Sequence, residues 1–128
     1  MRLLLDTHVF LWWVADHPSL SLLARSAIAD ADNECLISVV SCWELAIKTS
    51  LGKLELGQSL ERFVPEQLAA NQFQLLPMDL RHTLRVAALP WHHRDPFDRL
   101  LVAQCQAEGL TLVSADGAMA AYGLPVLW

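Results

Sequence analysis

The 128-residue chain reads as an α/β fold: a three-layer sandwich in which a central, mostly parallel sheet of four to five strands is flanked by helices. Three observations predict it. Short apolar runs alternate with stretches of helical character from end to end. The runs are uninterrupted in the way of strands covered on both faces. Helix-starting Ser and Asp residues and helix-ending glycines punctuate the pattern. The length fits one domain, residues 1–128, and the 54% hydrophobic content supplies a normal core with apolar surface to spare for another chain.

The elements follow in order. Residues 2–5 are a buried strand running into Asp6, which reads as a strand start rather than a signal peptide. Residues 7–15, with Phe10, Trp12 and Trp13, form a helix, and residues 19–31 a second, capped by Ser19 or Ser21. Residues 34–40 are a strand rich in Ile and Val. Ser41 opens the third helix, because Ser41-Cys42-Trp43-Glu44 has capping-box spacing, and Gly52 closes it. Residues 59–71 form a fourth helix that Pro65 threatens to break. Residues 73–76 are a short strand, and 79–89 a helix capped by Asp79. Asp95-Pro96 is a cap followed by an N1 proline, and that helix runs to about residue 108 before Gly109. Residues 110–113 are a strand, Asp116 starts a short helix ending near Gly123, and 124–128 are a last strand.

Composition narrows the function. Three cysteines at irregular spacing, in apolar stretches, read as reduced buried thiols of a cytoplasmic protein, with no Cys/His zinc pattern. No apolar stretch reaches the ~20 residues of a membrane span. A net charge of −5 excludes a strongly basic, non-specific nucleic-acid binder. Most of that excess is the four acids considered next, so RNA stays open as a substrate.

Asp6, Glu44, Asp98 and Asp116 each have an ordinary local reading, as an N-cap or a first-turn acid. The coincidence has none. All four fall at the same end of the predicted sheet, at strand ends or helix starts, where the chemistry of such folds sits. Carboxylates gathered together raise one another's pKa unless a cation neutralises them, and oxygen-only ligands select Mg²⁺ or Mn²⁺. Such an ion polarises a phosphodiester, activates water and stabilises the leaving oxygen. No Ser-His-Asp or Cys-His arrangement offers a protein nucleophile.

The residues Leu3-Leu4-Leu5-Asp6-Thr7, Ser38 to Glu44, His93-Arg94-Asp95-Pro96-Phe97-Asp98-Arg99-Leu100-Leu101 with Ala103-Gln104, and Leu112-Val113-Ser114-Ala115-Asp116 carry a resemblance. In that order and spacing the chain resembles the PIN-domain nucleases, and within them the VapC-type toxins of bacterial toxin–antitoxin pairs. The resemblance implies a metal-dependent endoribonuclease. Asp6, Glu44, Asp98 and Asp116 match the family's four acids. Asp95 matches a further acid of the subgroup with this stretch. Thr7 and Ser114 match small hydroxyl residues that orient ligands or water; many relatives have Thr at the position of Ser114. The resemblance also implies a homodimer and a VapB-like antitoxin. Lys48, Arg94, Arg99 and His93 are candidates to hold RNA phosphates, and Trp91, in a predicted loop, to stack on a base. Lys48 and Arg99 have an equal claim as partners of nearby acids. Trp12, Trp13 and Trp43 are expected in the core or an interface.

Two other classes compete: a metal phosphoesterase acting on DNA or a small ester, and a non-catalytic RNA- or partner-binding module. Asp6-Thr7-His8 lacks the second acid of a haloacid-dehalogenase-type phosphatase, and no receiver-type phosphoacceptor and late Lys are present.

Overall fold

The computed structural model describes residues 1–128. Its strands are β1 (Arg2–Leu5), β2 (Glu34–Ser38), β3 (Gln74–Leu76), β4 (Thr111–Val113) and β5 (Val126–Leu127). Its helices are α1 (Thr7–Val14), α2 (Leu22–Ala29), α3 (Val39–Ser50), α4 (Leu60–Asn71), α5 (Leu80–Val86) and α6 (Pro96–Glu108), with a 3₁₀ helix at Gly117–Tyr122. All five strands are parallel, in the order β3-β2-β1-β4-β5. The chain winds outward from β1 to β3 and then crosses back to β4. The reversal lies between β1 and β4, where α/β folds leave a crevice at the strands' carboxyl ends.

Alternation along β1 divides the core. Leu3 and Leu5 point to one face, joined by Val9 and Phe10 of α1, Ala24 and Ile28 of α2, Leu45 of α3 and Phe63 of α4. Leu4 points to the other, with Leu36, Leu112, Leu101 and Val102 of α6, and Met119. Leu3, Leu4 and Leu5 have no exposed surface, as expected of a strand sheltered by helices on both sides.

The caps explain the helix starts. Ser21, rather than Ser19, accepts from the Ala24 amide, and Asp95 accepts from the Phe97 and Asp98 amides ahead of Pro96. Asp79 and His82 form a reciprocal capping box on α5. Gly109 stops α6 at φ 67°, a left-handed position that glycine fills without strain. Pro65 does not break α4. It sits on an exposed stretch of the helix, which runs through it to Asn71.

One boundary differs in a way that matters. Helix α3 starts at Val39, not at Ser41, and its cap is Ser38, whose Oγ accepts from the Val40 amide. Strand β2 therefore ends at Ser38. Ser41 is instead wholly buried and accepts a 2.9 Å hydrogen bond from Thr7 Oγ1, tying α1 to α3. Glu44 is thus no capping-box partner. It lies further inside the helix and turns its carboxylate to Lys48.

Packing of α5 on α6 is fixed by charge. His82, 1% exposed, meets Glu108 Oε1 through Nε2 at 2.9 Å, and Arg81 reaches both Asp79 and Glu108. Hydrogen bonding to His82 and the Arg81 charge hold the Glu108 carboxyl below its usual range. Arg81 does the same for Asp79.

Candidate metal centre

Asp6 directly follows the central strand. Its amide donates to Val113 O, which zips it onto β4, and its Oδ1 caps α1 by accepting from the Val9 amide at 2.8 Å. The residue is 7% exposed. Burial pushes its carboxyl up, while the Ser114 hydroxyl and the Val9 amide pull it part of the way back. Asp116 follows β4 by three residues and caps the 3₁₀ helix, its Oδ1 accepting from the Ala118 amide. That amide, then His93, hold the Asp116 carboxyl low. Ser114 Oγ accepts from the Asp116 amide at 3.1 Å, so one hydroxyl orders the loop between the two acids.

Asp98 stands in the first turn of α6. Burial and the neighbouring Asp95 charge raise its carboxyl to about 7, with Asp6 and Glu44 adding to the push and His93 opposing it. His93 forms the centre of the cluster. Its Nε2 lies 2.8 Å from Asp116 Oδ2 and 3.3 Å from Asp98 Oδ2. Its Nδ1 accepts from the Asp95 amide, which leaves Nε2 as the protonated nitrogen that donates to Asp116. One ligand atom from each of His93, Asp98 and Asp116 falls within 4.8 Å of the others. The role of His93 between two acids depends on a contact 23 residues away, and no local spacing announces it.

Asp6, Asp98 and Asp116 share one open cavity. Glu44 is 5% exposed and paired with Lys48 at 2.8 Å; its charge acts on both Asp6 and Asp98. Thr7 supports from behind through Ser41, and Asp95 is occupied as the cap of α6. Arg94 and Trp91 are exposed.

Arg99 does not fit the phosphate-holding expectation. It is 3% exposed, and its guanidinium donates to the carbonyls of Val86, Leu89 and Pro90 and to Tyr122 Oη. Trp91 lies over it, 3.8 Å from the guanidinium carbon to the ring centroid. Arg99 is a brace for the loop before α6, since its donors are spent on fixed carbonyls. Tyr122 Oη also accepts from the His93 amide, so the brace reaches the cluster.

The donor set suits a hard divalent cation. Carboxylate oxygens dominate it, they are partly desolvated, and their mutual repulsion is opposed by Lys48 beside Glu44, by the His93 ring and, at Asp6, by His8.

This sheet order, with acids converging at the β1/β4 crevice, defines a nuclease-like α/β class. The PIN domain profile matches residues 3–124, and the chain belongs to that family. It is 32% identical over 114 residues to a protein named Ribonuclease VapC22 from Mycobacterium tuberculosis, covering 88% of this chain and 85% of the relative. Its fold matches the crystal structure of VapBC2 from Rickettsia felis bound to a promoter DNA fragment (TM-score 0.73, 16% identity, 98% of this chain and 97% of that one). It also matches VapBC-5 of Mycobacterium tuberculosis, described as a member of the VapBC family of toxin–antitoxin systems (TM-score 0.61, 18% identity, 98% and 96%).

Proposed function

We propose that the chain, as a single domain, is a Mg²⁺- or Mn²⁺-dependent endoribonuclease and the toxin of a toxin–antitoxin pair. The observation that carries this reading is the desolvated cluster at the β1/β4 crevice. There Asp98 and Asp116 are drawn together on His93, with Asp6 on the same cavity and Glu44 within electrostatic reach. The similarity to Ribonuclease VapC22 supports RNA as the substrate.

Asp6, Asp98 and Asp116 would hold the cation, with Glu44 completing the negative set. A bound divalent ion would polarise the phosphodiester, acidify the attacking water and stabilise the departing 3′ oxygen, giving 5′-phosphate and 3′-hydroxyl ends. The protein's own contributions are positional. Ser114 orders the Asp116 loop, and Thr7 fixes α1 against α3. His93 keeps Asp116 and Asp98 together. Lys48, 37% exposed and ion-paired with Glu44, and the exposed Arg94 are the proposed phosphate contacts outside the acidic cavity.

A VapB-like antitoxin and a homodimer are part of this proposal. The exposed apolar residues Leu22, Leu80 and Leu84 are consistent with surfaces that another chain covers. The free cysteines suit the reducing cytoplasm. No helix is long and apolar enough to cross a membrane.

The deciding experiment compares single-stranded RNA and DNA with Mn²⁺, Mg²⁺ or chelator, for the wild type and Asp98→Asn. Metal-dependent RNA cleavage lost in the variant is the expected result. Cleavage of DNA instead would favour the other phosphoesterase reading, and RNA bound but uncut the binding module.

A further inference from the structure

The cavity that holds the acids has a second, aromatic wall. Beside Asp6, Asp98 and Asp116 it is lined by His8 and Trp12, and it encloses about 330 Å³. His8 and Trp12 are four residues apart on α1, and their rings meet at 5.9 Å with a 45° tilt. Two further rings hold Trp12. The His17 ring stacks on it at 6.0 Å and 22°, and the Trp128 ring packs at 5.9 Å. Val9 and Phe10 of the same helix are fully buried, whereas Trp12 is only partly buried and His8 is exposed. Trp12 thus packs partly against the core and partly lines the acidic cavity, with its indole held in place by neighbouring rings.

We infer that His8 and Trp12 form a stacking subsite for one unpaired nucleobase of the RNA strand, adjacent to the phosphate held at the carboxylates. The inference rests on the ribonuclease reading and gives it a substrate contact. Charge decides the class of ligand. The cavity is lined by Asp6, Asp98 and Asp116 and by no Lys or Arg, so beyond the one phosphate at the carboxylates its hold on the strand has to come from uncharged contacts. A base offers a neutral π-face to an aromatic wall and tolerates acidic neighbours. Geometry sets the distance. Asp6 is the N-cap of the helix that carries Trp12, so the platform lies about 9 Å along the helix axis from that acid, on the scale of one or two nucleotides. Stacking on the wall needs a base free of its partner, so the subsite selects single-stranded over paired RNA and tolerates any base.

The test uses a short single-stranded RNA that the wild type cuts with Mn²⁺, together with copies in which each base in turn is removed to leave an abasic ribose. Trp12→Ala is expected to reduce kcat/KM about 10-fold or more, mostly through KM, and Trp12→Phe to recover most of the loss. Removing one particular base near the cut should harm the wild type by a similar factor and the Trp12→Ala variant hardly at all. His8→Ala, a change at an exposed residue, should show a smaller coupling to the same base, and it decides the matter if Trp12→Ala does not fold. If the variants that fold cut the RNA like the wild type, or lose activity equally whichever base is missing, the subsite is refuted. If they cut normally but bind an arginine-bearing peptide less well, the wall belongs to a protein partner and the inference also falls. A wild type that cuts no RNA overturns the ribonuclease reading itself, a different outcome from an intact nuclease indifferent to Trp12.

Discussion

At the scale of single residues, the cluster stores repulsion. Asp98, raised to about 7 in the folded protein, binds its proton more tightly there than in the unfolded chain. With metal removed, folding is therefore favoured while Asp98 is protonated. That advantage is lost as pH rises from about 4 through 7. Asp98→Asn should abolish cleavage yet stabilise the metal-free protein at pH 8, by on the order of 2 kcal/mol, with no gain at pH 4. Denaturant melts at the two pH values measure this, and equal stability at pH 8 would remove the case for a repelling cluster. Arg99 behaves oppositely. Arg99→Ala strands three carbonyls and a tyrosine hydroxyl, for an expected loss of about 2–4 kcal/mol in urea unfolding. Arg99→Lys should recover only part, because an ammonium cannot span that fan of acceptors. A variant that instead kept its stability and weakened RNA binding would return Arg99 to the phosphate contacts.

Residue identity alone foretold part of this. Asp6, Asp98, Asp116 and the Ser114 hydroxyl were legible as positions because each stands at a strand end or a helix start, whereas Glu44 lies inside α3. The buried fate of Arg99 was not, because it depends on Val86, Leu89 and Pro90 closing around it from a separate segment. Nor was the aromatic wall. The His8 and Trp12 spacing after Asp6 was visible, but only the placement of Ala115 and Asp116 opposite them makes it a cavity.

At the scale of elements, the junction of α5 and α6 is a charge-locked joint. Glu108 has a depressed carboxyl, so it contributes stability when ionised. That contribution is present above the unfolded value near 4.5 and is lost as pH falls through the folded one. Glu108→Gln should lower the melting temperature at pH 7, and the difference from wild type should shrink as pH falls below about 4.5. A constant difference across that range would point to packing rather than charge. Helix ends were the best-read feature of the sequence, because caps are local: Asp79, Asp95 and Gly109 act as their positions demand. The start of α3 was misplaced because Ser38 and Ser41 both suit a cap locally, and only the tertiary bond from Thr7 claims Ser41 for the interior.

At the scale of the whole molecule, β1 separates two cores and touches both. Leu4→Ala should cost about 2–5 kcal/mol, as for other large-to-small changes in a filled interior. A cation that binds only the folded chain should stabilise it by about 2.7 kcal/mol at a hundredfold excess over Kd. Asp6→Asn should reduce that gain, as calorimetry with and without Mn²⁺ would register. The parallel alternation that dictates this architecture was readable throughout, since it depends on composition along the chain. Strand order was not, because it is set by which ends meet.

That order has a consequence for how activity is lost. The first and fourth acids follow neighbouring strands whose ladder joins Leu3–Leu5 to Thr111–Val113, more than a hundred residues apart in sequence. No contact between sequence neighbours forms that seam, so the carboxylate cluster assembles only when head and tail of the polypeptide have met. Loosening β4 and β5 from their neighbour would draw Asp116 away from Asp6 while β1 to β3 kept their pairing.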